Sequence, residues 1–173
     1  MEVVYEDNHL IVVNKAAGEI VQGDKTGDKP LSEMVKDYLR EKYNKPGNVF
    51  CGVIHRLDRP VSGLVVFAKT SKALARMNEI FQNRKVKKTY WAISRNLPPR
   101  AEDTLVDYLT PRERNNKTYV SRTPADGAQK AVLDYKLLAK TDYYCLLEVN
   151  LHTGRCYRCN LWCSRQNHLL FLR

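Results

Sequence analysis

The sequence predicts an α+β fold, a predominantly antiparallel mixed β-sheet with flanking helices. Two observations carry that expectation. Segments that alternate apolar and polar residues outnumber segments with helical spacing, and turn residues recur at hairpin-like intervals. A length of 173 residues and a hydrophobic content of 43% suit one domain able to bury a real core.

Taken in order, "VVYEDNHLIVVNK" reads as two short strands joined at Asp7 and Asn8, a hairpin. The loop "AAGEIVQGDKTGDKP" follows, and its Pro30 suits the opening of a helix. From Leu31 to Tyr43, Met34, Val35, Tyr38 and Leu39 recur at helical spacing, and "NKPGN" ends the run. "VFCGVI" and "GLVVFAK" read as strands on either side of "HRLDRPVSG". Thr70 or Ser71 can cap a second helix with Leu74, Met77, Ile80 and Phe81 on its apolar face. In "KKTYWAIS", Thr89, Trp91 and Ile93 fall on one face and Tyr90, Ala92 and Ser94 on the other. Ala131, Leu133, Tyr135 and Leu137 alternate in the same way, as do Cys145, Leu147, Val149 and Leu151. Nothing in the composition marks a linker, a repeat or a domain boundary, so the expectation is a single domain over 1–173.

The formal net charge of +10 points to an acidic partner. Nucleic acid comes first and an anionic membrane surface second. No apolar run is long enough to span a bilayer, and the start lacks the order of a secretory signal. The five cysteines are an odd number without that signal, which reads as reduced thiols in the cytoplasm.

The stretch His55–Gly63, "HRLDRPVSG", sets Asp58 between Arg56 and Arg59 just before an apolar strand. Positive neighbours favour the ionised form of a carboxylate. Such a group can serve as nucleophile, base or metal ligand. Phosphate-loop and dinucleotide fingerprints are absent, and no second acid accompanies the motif. The residues alone leave two alternatives: nucleophilic or acid–base work by a single carboxylate, or an Arg–Asp pair that merely pins a loop to the sheet.

The run "HRLDRPVSGLVVFAKTSKALARMNEIFQNRKVKKTYWAI" closely resembles the central motif of the RluA-type pseudouridine synthases. "YEDNHLIVVNKAAG" resembles the family's first motif, with Ala16 where Pro is usual, and "LEVNLHTGR" resembles the strand leading into its third. The resemblance spans about Val4 to Arg155, and it implies a synthase-like catalytic domain without a separate N-terminal RNA-binding module. It further implies that uridines in ribosomal or transfer RNA are isomerised to pseudouridine with no cofactor and no metal. On the matching positions, Asp58 would be the catalytic acid. Arg56 would fill the space left by a flipped nucleotide, Tyr90 would stack on the base, and Arg155 would pair with the acid. RNA is then the implied partner, with no membrane and no required protein partner.

"NRKVKK" gathers Arg84, Lys85, Lys87 and Lys88, and "PRERNNK" adds Arg112, Arg114 and Lys117. With Arg56 and Arg59, the first group forms the expected substrate-binding set, its cations meeting RNA phosphates. A charge run can equally be a solvated face. After Arg155 the resemblance stops, because Cys156, Tyr157, Arg158, Cys159 and Asn160 replace the usual continuation. A shifted reading frame or truncation accounts for the abrupt change better than divergence does, which leaves the domain incomplete at its C-terminus. Cys156, Cys159 and Cys163, with His168, have a partial metal-ligand spacing, but one His makes an unconvincing fourth ligand and no metal is expected. The alternative function is an RNA-binding protein with a truncated, catalytically impaired synthase fold.

Overall fold

Asp7 closes the first hairpin. Its carboxylate accepts the backbone N–H groups of His9 and Leu10, both at 2.7 Å, which turns β1 (Glu2–Glu6) back onto β2 (Leu10–Lys15). The computed structural model describes residues 1–95, 97–112, 117–121, 123–124, 127–153 and 169–172. These fall into two compact units, Met1–Lys85 and Val86–Leu172. The expected α+β, antiparallel class is observed, with the strands divided between two sheets and every pairing antiparallel.

The first unit is a sheet of order β1-β2-β4-β3 with helix α1 (Leu31–Lys42) and helix α2 (Ser71–Gln82). Strand β4 (Gly63–Ala68) pairs with β2 along its whole length, but β3 (Gly52–Val53) meets it only at Ala68 and Phe67. The expected strand "VFCGVI" is thus cut to two residues, since only Gly52 and Val53 pair with β4. Period-two alternation puts Ile11 and Val13 of β2 and Val65 and Phe67 of β4 in one core with Leu31, Val35 and Leu39 of α1. The hydroxyl of Thr70 caps α2 by accepting the Ala73 N–H at 3.1 Å. Gly52 on β3 lies against Leu74 of α2, where a side chain on the glycine would collide.

The second unit is a six-stranded sheet of order β10-β5-β9-β8-β6-β7. Its strands are β5 (Thr89–Ser94), β6 (Glu102–Arg112), β7 (Lys117–Ser121), β8 (Gln129–Lys140), β9 (Cys145–Leu151) and β10 (Leu169–Leu172). Ala92, Leu133, Tyr135, Cys145, Leu147 and Val149 form its core, on the faces expected from the alternation. Trp91 points the other way and is 45% exposed. Strands β6, β7 and β10 have no counterpart in the sequence reading. Pro111 sits in β6 opposite Thr118 of β7, beyond the end of the β6–β8 ladder at Leu109, so β8 asks no N–H of it. Among the described residues no helix is long and apolar enough to cross a membrane.

Candidate active site

Loop residues 54–62 leave β3 and return as β4. Leu57 packs against the first unit's core, while Arg56 and Asp58 on either side of it are exposed. The alternation of apolar and charged residues therefore nails the middle of the loop down and turns its charges outward. His55 reaches back to β4, where its Nε2 accepts the Val66 N–H at 3.1 Å. Its ring stacks on Phe81 of α2, with centroids 5.3 Å apart and planes 17° from parallel.

A tight turn follows, closed by the Val61 N–H donating to the Asp58 carbonyl at 3.0 Å. Val61 itself is buried. Gly63 then enters β4 with φ +135°, a left-handed-region value that suits glycine and few other residues. The Asp58 carboxyl is thereby presented on a turn whose two ends are anchored, one by His55 and Leu57 and the other by Val61 and β4.

The two arginines beside Asp58 do not pair with it. Arg59 forms an ion pair with Asp28 and donates to the Thr26 hydroxyl at 3.3 Å. Among the described residues no ion pair joins Asp58 to Arg56 or to Arg59. The Arg–Asp pair weighed from the sequence, with Asp58 as its acid, is not formed among the described residues; Arg59 pairs with Asp28 instead. A buried cation also lies behind the turn: the Lys15 ammonium is drawn by both Glu19 and Asp58. Lys15 was missed in the sequence. The signal was available: it occupies the inward position of β2, two residues after Val13, where an apolar residue is expected.

In the second unit, Tyr90 is half-buried and packs against the core beside Val149, its register partner on β9. Arg84, Lys85 and Lys87 are exposed and Lys88 is half-buried, with the first two in one unit and the last two in the other. Arg112 ends β6 and Lys117 begins β7. Arg114, Arg155, Cys156, Cys159, Cys163 and His168 lie outside the described residues. The described chain is fixed as far as Thr153. The Thr153 hydroxyl accepts the Val132 N–H at 3.0 Å, and the N–H groups of His152 and Thr153 donate to the Val132 carbonyl. Burial pushes the Cys51 thiol up to about 12 and raises that of Cys145, so neither offers a thiolate nucleophile near neutrality.

A family model described as RNA pseudouridylate synthase matches residues 9–156. A curated tRNA pseudouridine synthase C from Vibrio parahaemolyticus is 35% identical over 166 residues, covering 90% of this chain and 65% of that protein. Ribosomal large subunit pseudouridine synthase D from Zymomonas mobilis is 30% identical over 172 residues, covering 98% of this chain and 54% of that one. The chain thus spans less than two thirds of the length of these relatives. Among solved structures, human RNA pseudouridylate synthase domain containing 4 superposes with a TM-score of 0.80 at 22% identity, over 98% of this chain and 66% of that one, which shows a shared fold. By the extent of that family match and the identity to these relatives, the chain belongs to the RNA pseudouridylate synthases, in their RluA-type branch.

Proposed function

We propose that this protein isomerises uridines in transfer or ribosomal RNA to pseudouridine, with Asp58 as the catalytic residue. The relatives named for transfer RNA and for ribosomal RNA support that substrate class, and the reading places the protein in the cytoplasm. The observation that carries it is the Asp58 turn: an exposed carboxylate whose backbone is held on both sides while its side chain is left to meet a substrate.

The reaction is an isomerisation. The bond between the base nitrogen and the sugar's anomeric carbon breaks, the uracil turns, and its C5 joins that carbon. The proton on C5 leaves to solvent and the freed nitrogen takes one up, so no oxidant, reductant or cofactor is consumed. An anionic oxygen at Asp58 serves this chemistry at the sugar, where positive character develops as the base departs. Reaching that bond in folded RNA requires the nucleotide to be flipped out, at a cost of a few kcal/mol of unstacking. In this reading Arg56, exposed two residues before Asp58, takes the vacated space. Tyr90 stacks on the turned base, and Arg155 pairs with the carboxylate. Arg59, Arg84, Lys85, Lys87 and Lys88 meet phosphates and position the RNA without reading its sequence.

The test is tritium release from 5-tritiated uridine in cellular RNA, with mass spectrometry after pseudouridine-selective carbodiimide labelling locating the product, for the wild type and Asp58→Asn. Release by the wild type, lost in the variant while RNA binding persists, supports the assignment. A wild type that binds RNA and releases no tritium from any RNA fraction overturns it and leaves an RNA-binding protein with a silent synthase fold.

A further inference from the structure

Strand β2 carries one residue that neither the core nor the reaction above uses. Lys15 stands on the same face as Ile11 and Val13 and is completely removed from solvent. A buried ammonium without partners costs several kcal/mol, so its surroundings reveal what it is for. Its Nζ donates to the carbonyls of Ala16 at 3.1 Å, Arg59 at 3.2 Å and Val61 at 2.5 Å. The last two belong to the turn that begins at Asp58, and the Arg59 carbonyl also accepts the Gly18 N–H at 2.8 Å. The end of β2 therefore grips the turn from its inner side, and a side chain of smaller reach could not.

Charge adds to the grip. Burial lowers the Lys15 ammonium from the ordinary lysine value, and attraction to Glu19 and Asp58 opposes that loss. Glu19 is held in place by the Ala16 N–H, 2.7 Å from its carboxylate. That donor exists because position 16 is alanine. The proline usual there in the family has no N–H to give.

We propose that Lys15 is a positioning residue for Asp58, fixing the turn through the Arg59 and Val61 carbonyls and setting a buried positive charge within Coulomb range of the carboxylate. The role rests on Asp58 being the catalytic residue. Lys15→Met keeps the length of the side chain and removes both charge and donors. Its kcat for pseudouridine formation falls roughly 10- to 100-fold while KM and RNA affinity stay within about twofold, because only the placement of the reacting group is lost. A folded Lys15→Met whose kcat is unchanged, or whose KM rises in step with its kcat loss, overturns the proposal.

A second measurement leaves Lys15 in place. In Asp58→Asn, carbon-13 NMR of the Lys15 ε-carbon shows its titration midpoint moved down relative to wild type, since the ammonium has lost an opposite charge. An unmoved midpoint overturns the electrostatic link. This readout needs no turnover, so it decides the matter even if Lys15→Met does not fold. A wild type that forms no pseudouridine while the midpoint still moves sinks the functional reading and not the Lys15–Asp58 link.

Discussion

Val66 of β4 donates its backbone N–H to Nε2 of His55, three residues before Asp58, at 3.1 Å. Strand β3 stops pairing with β4 at Phe67, so beyond that point an edge donor would be left without a strand partner. The imidazole takes the place of the missing strand. A ring nitrogen that accepts an N–H carries no proton, which fixes the neutral tautomer protonated at Nδ1. The stack on Phe81 of α2 then sets the ring's orientation, so a helix remote in sequence helps to aim the loop.

From this His55→Ala loses both an acceptor and ring packing. Its stability falls by about 1–3 kcal/mol in urea denaturation. Nitrogen-15 NMR of the wild-type ring shows an unprotonated Nε2 near neutrality. A variant as stable as wild type would mean that water replaces the ring at no cost.

Gly52 tests the packing of α2 on the sheet. A Cβ at that position comes within 2.9 Å of one Leu74 methyl, 3.1 Å of the other and 3.2 Å of the Leu74 Cβ. Gly52→Ala therefore costs roughly 1–3 kcal/mol from overpacking. The Leu74→Ala change removes the obstructing methyls, so Gly52→Ala costs less in that background. The double-mutant cycle shows a coupling of about 1 kcal/mol or more. Additive effects would mean the clash is relieved elsewhere.

Glu6 gives the first unit an acid limit. Burial alone would raise its carboxyl. Hydrogen bonds from Lys42, Lys69, Tyr43 and Tyr38 outweigh that and hold it at about 2, against an ordinary 4.5. A depressed carboxyl contributes stability that is fully present above the unfolded value and lost as pH falls through the folded one. The contribution, about 3 kcal/mol at most, is lost between about pH 4.5 and pH 2. Chemical denaturation across that window shows a falling stability in wild type and a flatter line in Glu6→Gln. Glu6→Gln is also the less stable of the two at neutral pH.

The particular residues explain what the sequence made legible. In β8 and β9 the inward positions are apolar and charged or amide residues stand between them, so period two shows plainly, whereas β2 and β4 are apolar on both faces and read as short continuous runs. In β6 period two does not show. Asp103 and Asp107 share a side with Leu105 and Leu109, while Val106 on the other side is 44% exposed, and the two faces look alike in hydropathy. At the candidate site, the exposed, charged character of the loop around Asp58 was legible from its motif. The partner of Arg59 was not, because Asp28 stands 31 positions away in a glycine-containing loop whose path no local pattern sets. Lys15 was visible as a violation, a charge on a core-facing position, and such breaches of pattern concentrate at functional sites.

Arg84 is a second breach, and it separates stability from function. It follows the C-cap of α2 with φ +56°, its N–H donating to the Phe81 carbonyl and that of Lys85 to Ile80, the helix-ending turn that glycine usually makes. A residue with a Cβ pays about 1–2 kcal/mol for that conformation. Arg84→Gly therefore raises stability by roughly 0.5–1 kcal/mol in urea denaturation, the opposite of most substitutions. The same change removes one cation of the basic run. RNA binding weakens, and the slope of log K against log salt shrinks by about 1 if Arg84 meets a phosphate. A gain in stability with an unchanged salt slope would show that Arg84 ends the helix and touches no RNA.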